Sequence, residues 1–207
     1  MKRLRVLVGC EYSGTVRDAF TARGHIAMSC DTLPSDAPNG MHYQGDVRDV
    51  LAGDHDGRPW DLAIFHPPCT YLTNAGVRWL HTQPGRWDLM REGAEFFRLL
   101  LEAPIARVAV ENPVMHGYAR EVVGRRADQV VQPYHFGHLE SKATGLWLRG
   151  LPKLVATDDV KAATMALPAR ERGRIHYASP GPDRWKLRSV TYAGIAAAMA
   201  DQWGGIE

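Results

Sequence analysis

The chain has 207 residues, 45% of them hydrophobic and 23% charged, with a formal net charge of +2. This composition excludes a low-complexity or fibrous chain and suits one globular domain, 1–207, with a sizeable core. A charge so near neutrality neither requires nor excludes a nucleic-acid partner, so the placement of basic residues matters more than their sum.

The basic start, MKRLR, leads into an apolar run too short for a secretory signal, and no stretch reaches the length of a membrane span. The chain therefore reads as cytoplasmic, with no membrane partner. LRVLV (4–8) predicts a buried strand that breaks into the turn GCEYSG, and TVRDAFTARG (15–24) a helix stopped by Gly24. IAMSC (26–30) predicts a second strand ending at Asp31, and a further short strand precedes Asp46 in QGDVRDV. DLAIF (61–65) runs into HPPC. RWDLMREGAEFFRLLLEA (86–103) predicts a helix closed by Pro104, and ARVAV (106–110) a strand running into ENP. YAGIAAAMADQW (192–203) predicts the closing helix. Short β-branched runs alternating with helical periods imply an α/β fold with a mainly parallel sheet and helices on both faces.

In such sheets ligands bind beyond the carboxyl ends of the strands. Glu11 to Gly14, Asp31, His66 to Cys69 and Glu111 to Pro113 all fall at such ends. A glycine-containing turn, a helix and then a strand ending in an acid make a nucleotide-binding layout, with Asp31 placed for ribose hydroxyls. Asp46 is placed for an adenine amino group, or is simply an exposed turn residue. Cys10 and Cys30 read equally well as small core residues.

Pro67 and Pro68 stiffen the loop that presents Cys69. A rigidly held thiol beside a carboxylate suits pyrimidine chemistry. Thiolate addition to C6 makes C5 nucleophilic towards a sulfonium methyl, and Glu111 would supply the proton or hydrogen bond at N3. The three cysteines, Cys10, Cys30 and Cys69, contain no C-x-x-C pair, and His66 finds no further ligand near Cys69, so no metal site is expected.

The order GCEYSG, Asp31, HPPC, ENP resembles the DNA cytosine-C5 methyltransferase family, in the short form carried by phages and prophages. The likeness spans residues 4 to about 150 and 185 to 203. It implies a Rossmann-like class I methyltransferase fold and S-adenosylmethionine as cofactor. The implied catalytic set is Cys69, Glu111, Asn112, Pro68 and Lys142. Gly9, Glu11, Tyr12, Ser13, Gly14, Asp31, Asp46, Pro67 and Ser189 form the implied cofactor-binding set.

This chain departs from the family in several places. Its first turn has Gly9, Glu11, Ser13 and Gly14 where F-x-G-x-G-G is usual. In FGHLESKAT, Glu140 replaces a glutamine, Lys142 stands for the first base-holding arginine and Thr144 for the second. A large target-recognition domain is missing between Lys142 and Ser189. Residues 151–188 read instead as a short substrate-contacting insertion, with Arg170, Arg172, Arg174, Arg184, Lys186 and Arg188 among Tyr177 and Trp185.

The expected substrate is DNA, duplex or single-stranded, with a partner subunit or homodimer supplying target recognition. The alternatives are the same C5 chemistry on a free pyrimidine nucleotide, or a catalytically silent methyltransferase-like DNA-binding subunit. An amino-methyltransferase would want an aromatic and an acceptor where Cys69 and His66 stand.

Overall fold

Each apolar run bounded by turn residues becomes a strand, because alternate side chains are buried on opposite faces of one sheet. The computed structural model describes residues 2–53, 57–179, 181 and 184–206. In chain order the elements are β1 (Arg5–Gly9), α1 (Thr15–Ala22), β2 (Ile26–Asp31), β3 (Met41–Gln44), α2 (Val47–Ala52) and β4 (Leu62–Phe65). A 3-10 segment (Asn74–His81) then leads to α3 (Arg86–Leu101), β5 (Arg107–Pro113), α4 (Gly117–Val123), β6 (Gln129–Val131) and β7 (Thr144–Arg149). The chain closes with α5 (Lys161–Ala166), α6 (Ala169–Arg172), α7 (Arg174–Tyr177), α8 (Arg184–Ser189) and α9 (Ala193–Gly204).

The sheet has seven strands in the order β3-β2-β1-β4-β5-β7-β6. β1 to β5 run parallel, whereas β7 lies antiparallel between β5 and β6. This is the Rossmann-like class I methyltransferase fold that the sequence implies. The register matters for the site: Gly9 pairs with Cys30 and Phe65, and Phe65 with Val110, so β1, β2 and β4 finish within one residue of one another while β5 continues to Pro113.

Both faces of the sheet are covered. On one, Leu7, Phe65, Val110 and Trp147 pack beneath α2, α3 and α4 through Val50, Phe97 and Ala119. On the other, Val6, Ile64, Ala109 and Leu146 pack beneath α1 and α9 through Phe20, Met199 and Trp203. Trp203 is fully buried and its indole N–H donates to the carbonyl of Pro152 at 3.0 Å. No helix among the described residues is long and apolar enough to cross a membrane.

One expectation changes. β5 does not stop at residue 110 but runs through Glu111 and Asn112 to Pro113, because Glu111 pairs with Leu146 and Asn112 with Gly145 of β7. Residues 151–188 form four short helices, and Pro180, Pro182 and Asp183 of that stretch lie outside the described residues.

The fold also holds a buried cation. Arg17 of α1 is fully buried; its guanidinium donates to Ser29 (3.0 Å), to the Ala37 carbonyl (3.0 Å) and to Asp18 (2.7 Å). It ties the loop after β2, and so Asp31, to the first helix. Arg17→Ala leaves these acceptors unpaired in the interior and is expected to cost about 3 kcal/mol, measured by urea denaturation; a loss within about 0.5 kcal/mol, as at an ordinary surface site, would contradict this role.

Candidate active site

The carboxyl ends of β1, β2, β4 and β5 border a cleft of about 440 Å³, within the usual range for small-molecule sites. Glu11, Tyr12, Ser13, Asp31, Pro67, Pro68, Cys69, Glu111 and Ser189 all line it. Gly9, Gly14, Asp46, Asn112 and Lys142 stand behind or beside its wall.

At the first turn the backbone is forced into an unusual path. Cys10 has φ 58°, the one non-glycine residue with positive φ among the described residues, a conformation that carries strain for a side chain with Cβ. Gly9 stays bare because a Cβ there would come within 2.5 Å of the Phe65 ring. Gly14, at φ 74°, caps α1, where a side chain would strike the Arg17 guanidinium. Burial, reinforced by Asp31, pushes the Cys10 thiol far above its ordinary range. Cys30 sits in the core, its thiol raised to about 12 by burial and then by Asp31.

Glu11 turns inward rather than towards solvent. Its carboxylate accepts from the backbone N–H of Val16 at 2.7 Å and of Arg17 at 3.3 Å, and from the Ser13 hydroxyl at 3.3 Å. It therefore occupies the N-terminus of α1, the place where dinucleotide-binding folds hold a pyrophosphate. Burial raises its carboxyl above the usual range in spite of these bonds and the nearby His66. Asp31 accepts from the Leu33 N–H at 2.9 Å and keeps its place on the cleft wall. Asp46 caps α2 through the Arg48 N–H and pairs with the Arg48 guanidinium, which lies at 3.0 Å through Nε. That engagement holds its carboxyl below the ordinary range. Its placement supports a capping role and puts it outside the cleft lining. Ser189 lies across the cleft from β1, its hydroxyl 3.1 Å from that of Tyr12, whose ring meets Trp185 at 5.7 Å.

At the other end, Pro67 and Pro68 carry the chain out of β4, and Cys69 is half-buried on the cleft wall. Burial pushes its thiol up, and the neighbouring Glu111 charge pushes it further, while Arg188 and Lys142 pull it down; the net direction is up. Burial likewise favours the neutral form of Glu111. His66, Lys142 and the Thr144 hydroxyl outweigh that and hold its carboxyl below the usual range. His66 Nδ1 stands 3.4 Å from Glu111 Oε2. At rest, the pair is a thiol beside a carboxylate. Lys142 donates from Nζ to the Arg188 carbonyl at 2.8 Å, anchoring α8 over the cleft. Asn112, its neighbour on β5, points away and is fully buried, with Nδ2 donating to the Pro113 carbonyl at 2.6 Å.

The sequence assigns no site role to Trp79 or Arg86, whereas Trp185 and Arg188 belong to the basic and aromatic stretch already expected to contact substrate. Trp79 and Arg86 form one lip and Trp185 and Arg188 the other. Trp79 is carried by the 3-10 segment Asn74–His81, for which no element is expected in sequence. The basic stretch 170–188 is partly spent inside the protein: Arg172 donates to the carbonyls of Met165 and Leu167, Arg174 to Glu140 at 2.7 Å, and Arg184 to the His176 carbonyl. Glu140 also accepts from Tyr192 Oη at 2.8 Å, so it pins the insertion instead of facing a ligand. Arg188 remains at the cleft.

No protein-family model matches the sequence, and no curated protein matches it. Similar solved structures include a prophage-encoded DNA modification methyltransferase from E. coli (TM-score 0.48, 18% identity, covering 80% of this chain and 56% of that one). Others are the Entamoeba histolytica methyltransferase EhMeth (0.49, 12%, 77% and 58%) and the S. pombe Dnmt2 methyltransferase (0.43, 17%, 81% and 56%). The chain thus spans little more than half the length of these structures, and its fold rests on strand order rather than on such distant likenesses.

Proposed function

We propose that this chain is an S-adenosylmethionine-dependent methyltransferase that methylates C5 of a cytosine in DNA through a bond between Cys69 Sγ and C6. The observation that carries this reading is the shared cleft. Cys69 after β4 and Glu111 on β5 face it at one end, and Asp31 and the first turn face it at the other.

The residues at the cofactor end fit a sulfonium nucleoside. Asp31 is positioned for ribose hydroxyls, and Leu33 and Trp185 offer apolar faces to an adenine. With Glu11 plugging the α1 N-terminus, a pyrophosphate would meet a carboxylate instead of free N–H groups, whereas a cationic donor meets Glu11, Asp31 and Glu111. When bound, the donor supplies an electrophilic methyl group. Pro67 and Pro68 hold the sulfur at a fixed point, and Lys142 and Arg188 favour its thiolate. The thiolate adds to C6, the C5=C6 electrons move through C4 to N3, and Glu111 places a proton there. Once C5 carries the methyl group that the donor would supply, loss of the C5 proton to water, expulsion of the sulfur and return of the N3 proton to Glu111 restore the aromatic ring.

Labelled donor offered in parallel to duplex DNA, single strands and pyrimidine nucleotides tests the substrate. Label at cytosine C5 in DNA is the expected result, and label only in the nucleotide would move the same chemistry to a free substrate. Label on an exocyclic amine, or none in any arm, would contradict the proposal.

A further inference from the structure

The resting pair poses a chemical difficulty. Glu111 must deliver a proton to the ring, yet its surroundings favour the carboxylate, which has none to give. One neighbour is built to change that. His66 follows β4 directly; its backbone N–H donates to the Gly9 carbonyl at 3.0 Å, which extends the β1–β4 ladder and fixes the ring's origin. The side chain is only 6% exposed, and Nδ1 faces Glu111 Oε2 at 3.4 Å. Its other nitrogen, Nε2, is buried without a hydrogen-bond partner among the described residues, although His66 lines the cleft. Buried polar atoms usually find a partner, and of the two described histidines whose Nε2 lacks one, His25 and His66, only His66 lines the cleft. Nor is this a metal ligand set, for no group of three or more His, Cys, Asp or Glu side chains with that potential occurs among the described residues.

We propose that His66 is the positioning residue of Glu111: it fixes that carboxyl through Nδ1 and lends it the proton that Glu111 places on the pyrimidine. The inference rests on the C5 reading above. The charged and titratable groups around the imidazole are Glu111 from β5, Glu11 from the β1–α1 turn, and, acting on the same carboxylate, Lys142 before β7. Cys69 and Arg188 complete the set on the catalytic side.

The proton moves in a closed cycle. As the Cys69 thiolate forms its bond to C6, the displaced π pair becomes a lone pair on N3. A protonated His66 passes its Nδ1 proton to the Glu111 carboxylate, and Glu111 places that proton on N3, leaving neutral imidazole. When the sulfur leaves, N3 returns the proton by the same path. Over one turnover the pair is unchanged, and the only proton lost is that from C5.

The test uses His66→Asn, whose amide keeps a donor near the Nδ1 position but cannot carry the proton. With labelled donor and DNA substrate, kcat is expected to fall on the order of 100-fold, with KM and donor affinity within about twofold (tenfold corresponds to about 1.4 kcal/mol). The pH–rate profile should lose the ionisation that belongs to the His66–Glu111 pair. Adding His66→Asn to Glu111→Gln should cost almost nothing further, because the two act as one unit. Wild-type kcat and an unchanged profile in His66→Asn, or losses that multiply in the double variant, would overturn the proposal while leaving the C5 reading intact. A wild-type protein that transfers no methyl to C5 removes both. Should His66→Asn fail to fold, by thermal melting, His66→Gln is measured in the same way and judged by the same outcomes.

Discussion

Cys69→Ser is expected to reduce C5 methyl transfer on the order of 10⁴-fold or more, as loss of a covalent nucleophile commonly does, while donor binding by calorimetry stays at the wild-type level. The reason is chemical. A serine hydroxyl stays protonated where even the Cys69 thiol must be coaxed into its ionised form against burial and the Glu111 charge. The geometry of the loop should survive, because Pro67 and Pro68 set its path and Cys69 is only half-buried. Methyl transfer surviving in the serine variant would mean that an amino group, not a ring carbon, is the acceptor.

Glu111→Gln should move two measurements in opposite directions. Methyl transfer is expected to fall about 10²- to 10⁴-fold, the usual weight of a general acid. Alkylation of Cys69 by iodoacetamide at neutral pH should instead speed up. The sign follows from the direction of the shift: Glu111 helps to raise the thiol, so removing its charge lets the thiolate form at lower pH. In the wild type, alkylation should accelerate as pH rises towards the thiol's raised range. Slower alkylation in the glutamine variant would show that the two groups do not share a field.

Much of this site was legible before any coordinates. The runs 4–8, 26–30 and 61–65 mark strand ends with turn residues, and their side chains can satisfy the local pattern only as buried strands. Helix ends moved by one or two residues, as at Arg86–Leu101 against 86–103, which is the usual fraying of termini. β6 leaves no mark because three residues are too few to show a period, and β7, although six residues long, becomes a strand through its pairing between β5 and β6. The same pairing explains why Glu111 lies within a strand. Glu11 was placed correctly in the turn, but its inward capping bonds span only five and six residues and leave no mark in hydropathy. In sequence, His66 reads as a metal-ligand candidate or as the place an amino-methyltransferase would give to an acceptor, and not as a partner of Glu111. Its partner sits 45 residues away on the next strand, a proximity that only the β4–β5 register creates. Trp79 comes to the cleft on a 3-10 segment and Arg86 from the first residue of α3, positions to which no site motif in the sequence points.

The whole account stands on a bond from one sulfur to one ring carbon. Incubating the protein with donor and an oligonucleotide carrying 5-fluorocytosine, then mapping the product by peptide mass spectrometry, reads that bond directly. Fluorine at C5 blocks the final elimination, so a stable adduct on the Cys69 peptide is expected, and it should be absent in Cys69→Ser. Transfer of label to unsubstituted DNA with no adduct on Cys69, or an adduct on Cys10 or Cys30 instead, would contradict it.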